Sequence, residues 1–128
     1  MRQTVAATHG GSSSWATARG GYNAAMLALD KRWLVATGHT PHELAGFIGL
    51  AGPYDFLPMT NRDAQPVFFH PNYPPDTQPM AFASTAAPRS FLAAGKTDAL
   101  VDPERNTAAL ASRLSAGRKT GGVNFQFL

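Results

Sequence analysis

Eight of the ten prolines in this 128-residue chain fall between positions 53 and 88. Proline lacks an amide hydrogen and fixes φ, so neither a helix interior nor a central strand tolerates such a density. The middle of the chain is therefore expected to be irregular, and its helices and strands must come from the flanks. Loops of that length usually serve a function or lack order. Phe68, Phe69 and Tyr73 lie within this one. Aromatic side chains give a loop something to bury, which points to an ordered lid or crossover.

The flanks carry regular patterns. Residues 21–30 are rich in Ala and Leu and predict a helix. Residues 44–51 form a short apolar run stopped by Gly52-Pro53. That suits a strand buried on both faces, as in a parallel sheet. Residues 90–94 read as a second buried strand, ended by Gly95. A helix follows, with Asp102 as N-cap, Pro103 at its first position and Gly117 as its stop. Ala108, Leu110, Ala111 and Leu114 share one face of it. Residues 123–128 alternate in polarity and predict a third strand. The order helix, strand, loop, strand, helix, strand gives an α/β fold with right-handed crossovers and a mostly parallel sheet. Residues 1–19 are Ala, Thr, Ser and Gly with little periodicity and are expected to be irregular. Residues 20–128 form the domain, with 53–88 as its lid-like loop.

Composition excludes several classes. The chain has no cysteine, so disulfides and thiolate metal sites are ruled out. A net charge of +3 comes from scattered Lys and Arg, densest at Arg118-Lys119. No basic stripe interleaves with aromatics, so nucleic acid is not an expected partner. No apolar run is long enough to span a bilayer, and the first fourteen residues lack the apolar region of a signal peptide. The cytoplasm is the default compartment and no membrane partner is expected. His39 and His42 flank Thr40-Pro41 and read as a turn, with no carboxylate cluster to complete a metal site. No cofactor is expected.

The stretch from position 88 to 102 is the most informative. A buried strand ends in Gly95, and Asp98 follows in the loop before the next helix. Ligands of open α/β sheets bind beyond the carboxyl ends of the strands. The pattern resembles the late strand of α/β-hydrolases, whose Gly-x-x-Asp-x-x-Val loop supplies the acid of a catalytic triad. By that resemblance Asp98 takes the acid position. Its other reading is a loop or helix-capping Asp. Residues 46–55 resemble the strand and turn before the cap region of carboxylesterase-like members. Residues 20–25 resemble the start of the helix after the nucleophile elbow. The resemblance covers residues 20–117. It implies a serine hydrolase of small carboxylic esters, with Asp98 holding a histidine imidazolium and segment 53–88 shaping the pocket. Amide-cleaving relatives share the scaffold, so the leaving group stays open.

The chain departs from that pattern at the nucleophile. The elbow reads Gly-x-Ser-x-Gly in the family. Counted back from Gly20, the nucleophile position holds Ala18, which has no oxygen to attack with. The strand before it should be apolar, yet Ser12, Ser13 and Ser14 stand there. The genetic code offers a reason. If the serines are encoded by TCN, reading one base earlier turns each into Phe, Leu, Ile or Val. Trp15 has a single codon, which forces Ala16 to become glycine. The following residues then permit Gly-His-Ser-Ala-Gly. A frameshift would make the first twenty or so residues an out-of-frame peptide. His9-Gly10-Gly11 resembles an oxyanion-hole loop but lies too close to the elbow to be one.

The triad also calls for a histidine after the acid. His9, His39, His42 and His70 all precede Asp98, and the chain is expected to stop before the histidine loop. His70 is expected to be a surface or lid residue. The chain is therefore expected to be inactive toward esters, or else to be a non-catalytic pseudoenzyme, binding module or frameshifted product. A partial fold leaves a sheet edge bare, so self-association is the expected protein partnership.

Overall fold

The computed structural model describes residues 3–6, 14–84, 86–116, 118 and 122–128, with side chains from Arg19 onward. Strands β1 (Gln3–Ala6), β2 (Leu44–Leu50), β3 (Ser90–Ala94) and β4 (Val123–Phe127) form one sheet in the order β1-β2-β3-β4. Every neighbouring pair is parallel. Helices α1 (Ser14–Leu29) and α2 (Lys31–Val35) lie between β1 and β2. Helix α3 (Ala109–Ser115), led by the π-helical turn Glu104–Ala108, lies between β3 and β4. The chain is thus a small α/β fold, with the expected strands and helices in place beyond residue 20 and one helix not expected, α2.

The register decides which residues meet the helices. Phe47 pairs with Ser90 and Gly49 with Leu92, so Phe47 and Leu92 share a face. Ala24, Ala25 and Ala28 of α1 and Leu110, Ala111 and Leu114 of α3 join them in one core with Tyr54 and Met80. Both helices therefore pack on the same face. Right-handed crossovers between strands laid down in sequence order require this. Leu92, Leu110 and Leu114 are fully buried, each stabilising by roughly 1.5–3 kcal/mol relative to exposure. On the other face Ile48, Leu50 and Phe91 stay partly exposed, and Asn124 and Gln126 are exposed.

The first nineteen residues depart from expectation. Residues 3–6 pair with β2 as a strand, and α1 begins at Ser14 rather than near Gly20. Thr4 and Val5 are β-branched and suit a strand. Trp15 to Arg19 contain no helix breaker, so the helix propagates upstream of the two glycines. Gly21 costs helix propensity but permits contact. A Cβ there would lie 2.7 Å from the Gly52 Cα, so the bare backbone of α1 rests against the turn after β2.

Residues 51–89 cross from β2 to β3, and among the described residues this segment holds two short 3-10 turns, Gln65–Phe68 and Pro79–Phe82. Side chains replace the missing ladder. Gln78 Oε1 accepts the N–H groups of Phe56 and Leu57 at 2.6 and 3.1 Å. Tyr73 Oη accepts from the Met59 N–H at 3.1 Å, and Gln65 Nε2 donates to the Met59 carbonyl at 2.9 Å. Phe56 and Phe68 close edge-to-face on each other and on Tyr22 of α1, with centroids 5.0 to 5.8 Å apart. Such pairs contribute about 0.5–1.5 kcal/mol each beyond their burial. At the far end of α1, Arg32 binds both the buried Asp30 and, across the crossover, Asp76, each at 2.8 Å.

Candidate functional site

The carboxyl edge of a parallel sheet is where its strands release loops toward a ligand. Here that edge is made of the turn after β2, the loop after β3 and the adjoining part of α1. Asp98 stands in the loop after β3. Its N–H donates to the Gly95 carbonyl at 3.2 Å, which closes the turn that begins where the strand ends. Its Oδ1 accepts the N–H groups of Leu100 and Val101 at 2.9 and 3.0 Å. The carboxylate is thus pinned through one oxygen by its own loop. The backbone bonds are those of an Asx turn, and they also fix the direction in which the second oxygen points.

Asp102 caps the helix that follows, accepting the N–H groups of Glu104 and Arg105 at 2.9 and 3.2 Å. The two acids divide the work: Asp98 closes the loop and Asp102 starts the helix. The helix opens wide. The Ala108 N–H reaches back five residues to the Pro103 carbonyl at 2.9 Å, as a π turn requires. Neighbours Asn106 and Thr107 are both buried there.

Asn106 fastens the two loops of this edge together. Its Oδ1 accepts the N–H groups of Tyr54 and Asp55, each at 2.7 Å, while its Nδ2 donates to the Asp102 carbonyl at 3.0 Å. Arg105 adds a bond to the Leu57 carbonyl at 2.6 Å and a longer one to Asp55 at 3.4 Å. The turn after β2, the start of the crossover and the loop of Asp98 form one hydrogen-bonded unit. Sequence reading missed this pair because 105 and 106 read simply as helix. An Asn early in a helix is disfavoured unless it bonds to backbone, and that was the signal to be found.

Ala18 lies inside α1, one turn past Ser14. Positions 16–20 therefore follow regular helix rather than a strand-to-helix turn. The connection between β1 and α1 is residues 7–13, and His9-Gly10-Gly11, like Gly117 and Lys119, falls outside the described residues. His39 and His70 have partners other than Asp98. His70 Nδ1 lies 2.7 Å from Tyr73 Oη within the crossover, and His39 Nδ1 lies 3.3 Å from Glu43. Glu43 also accepts the Thr40 N–H at 2.6 Å across the turn Pro41–Glu43. That bond first, then His39, holds the Glu43 carboxyl below its ordinary range. Among the described residues, no group of three or more His, Asp or Glu side chains is placed to hold a metal ion. No helix among them is long and apolar enough to cross a membrane.

Two open clefts, of about 500 and 460 Å³, lie at the other end of the molecule. One is bounded by Arg89, Ser90, Gly122 and Asn124 where β3 and β4 begin. The other lies beside the end of α1, between Val35, His42 and Phe82. Neither includes Asp98 or Tyr54. Comparison with protein-family models and with curated proteins finds no match to this chain.

Proposed function

We propose that this chain is built on the plan of an α/β-hydrolase of the esterase kind and that, as it stands, it does not turn esters over. The observation that carries the reading is the place of Asp98. It stands just beyond the carboxyl end of β3, downstream of a strand–helix–strand unit, with one carboxylate oxygen fixed by two backbone N–H groups. A triad acid needs that location and that rigidity to orient an imidazole. The ordered crossover between β2 and β3 would serve as the lid over a small ester.

The chemistry stops at the nucleophile. Attack on an ester carbonyl needs a serine oxygen on an exposed, strained turn. Ala18 offers a methyl group within a helix. An acid without nucleophile and base leaves only the weak acceleration that binding contacts supply. The continuous helix through positions 16–20 favours a second reading, a non-catalytic binding module that keeps the scaffold alone.

The purified chain should neither hydrolyse short p-nitrophenyl esters in a serine-dependent way nor react with a fluorophosphonate probe. Stoichiometric labelling by that probe would overturn the proposal of inactivity. The gene tests descent separately. If the shifted frame across residues 12–20 spells Gly-His-Ser-Ala-Gly after an apolar strand, the chain derives from an active esterase. If that frame has no such coding content, Ala18 is native and the binding-module reading stands in its place.

A further inference from the structure

The cleft beside the end of α1, of about 460 Å³, is enclosed by three connections from the middle of the chain. They are the junction of α1 with α2, the turn that leads into β2, and the end of the crossover before β3. Small-molecule sites span roughly 300–1,000 Å³. Leu29, Val35, Pro41, Phe82 and Ala87 give the cleft apolar walls. One wall is braced. Arg32 is held by Asp30 and by Asp76, each at 2.8 Å, and its guanidinium carbon stands 5.2 Å from the centre of the Phe82 ring. A wall fixed before a ligand arrives removes part of the ordering cost of binding.

The charges around the cleft are unevenly spent. Asp30 is the one carboxylate among the described lining residues; it is 1% exposed, and both its oxygens accept from Arg32. Arg32 is spent in turn, donating through Nε, Nη1 and Nη2 to Asp30 and Asp76. Glu43, just beyond the lining, is taken by the Thr40 N–H and His39. That leaves Lys31, which is exposed, lines the cleft and makes no ion pair among the described residues. Ser84 Oγ, also on the lining, accepts the Ala86 N–H at 3.3 Å and keeps its own proton to donate.

We propose that this cleft binds a small carboxylic acid with an apolar body. The body covers Leu29, Val35 and Phe82, and the carboxylate meets the Lys31 ammonium, with the Ser84 hydroxyl as a second donor. The class of ligand follows from what is left unsatisfied, an apolar surface and one cation. A basic ligand would meet Lys31 as like charge, which selects against it. The cleft stands apart from Asp98, so binding here does not depend on the role of that residue. For a ligand the size of octanoate the Kd is on the order of 1 mM.

The test is a titration of the isotope-labelled whole chain with octanoate, kept below its micelle threshold and followed in two-dimensional amide NMR spectra. Octan-1-ol serves as the uncharged comparator. Two variants at exposed positions accompany the wild type. Lys31→Gln removes the cation, and Val35→Glu sets a carboxylate on the apolar wall. The proposal expects saturable shifts at Lys31, Val35, His42 and Phe82, with the amides of residues 95–101 unmoved. Lys31→Gln should weaken octanoate by roughly two- to fivefold and leave octan-1-ol unchanged. Val35→Glu should abolish octanoate binding. Spectra that match the wild type away from the cleft establish that the variants fold alike. Absence of saturable shifts overturns the proposal, as do shifts centred on residues 95–101. An Lys31→Gln variant that keeps wild-type octanoate affinity, or that weakens both ligands equally, overturns recognition of the carboxylate.

Discussion

Asn106 Oδ1 lies 2.7 Å from the backbone nitrogen of Tyr54, and through this bond the turn after β2 hangs from the first turn of the helix after β3. The same oxygen serves Asp55 at 2.7 Å. Replacing the amide by an apolar group of similar size strands two N–H groups at a site where Tyr54 is wholly buried. Each orphaned donor costs about 1–3 kcal/mol. Asn106→Leu should therefore destabilise by about 3 kcal/mol and lower the thermal midpoint by about 10 °C. A fall of under about 3 °C would show that the clamp matters little.

Two glycines make a matched pair. A methyl at Gly21 would meet the Gly52 Cα at 2.7 Å, backbone that cannot rotate away, whereas at Gly95 it would meet nothing within 4 Å. Gly21→Ala should cost about 2 kcal/mol or more despite its gain in helix propensity. Gly95→Ala should change stability by no more than about 0.5 kcal/mol. Urea titrations of both variants check this, and equal costs would contradict it.

Asp30 sets an acid limit. Burial pushes its carboxyl up, but the side-chain bonds from Arg32, the Arg32 N–H and the guanidinium charge outweigh burial and hold it below the ordinary 3.8. A lowered carboxyl contributes its full stability above the unfolded value and loses it as pH falls through the folded one. This contribution should be constant from neutral pH to about 5 and decline below about 4. In Arg32→Gln, burial acts with less opposition and the carboxyl rises toward or past its unfolded value, so the variant should be less stable at neutral pH and lose less of its stability, or none, on acidification. Denaturant midpoints from pH 7 to pH 3 for both proteins test the difference; parallel curves would show that Arg32 does not govern Asp30.

Asp98 and Asp102 each accept two backbone N–H groups. Asp98→Ala and Asp102→Ala should each cost about 1 kcal/mol, the usual value of such a cap. Asp98→Asn keeps an acceptor oxygen and should lose less than half of that. If Asp98→Asn proved as damaging as Asp98→Ala, the charge itself would be holding the loop.

Much of this architecture is legible in the sequence because its signals are local. Residues 91–94 are apolar and, with Ser90 before them, form β3 between Pro88 and Gly95. Asp102-Pro103 announces a helix, and Asp102 caps it. Periodicity cannot announce the contents of the crossover, since Gln78, Tyr73 and Gln65 act through single long-range bonds to backbone. Nor does it show that Gly21 rests on Gly52, a contact between residues thirty-one positions apart. Residues 14–19 become helix because nothing in them stops one, although their composition resembles a loop. For Asp98 the structure bears out the loop-closing reading, since its carboxylate accepts two N–H groups of its own turn.

The strands are stacked in chain order with α1 and α3 on one side, so this part of the sheet has no topological switch point. In open α/β sheets a crevice opens where successive connections leave in opposite directions. Here the connections from β2 and β3 leave in the same direction, and no such gap separates them. A ligand at this edge cannot sink between diverging loops. Its walls have to be supplied by residues 51–89, which makes the breadth of any binding site a property of a segment that contributes no strand to the sheet.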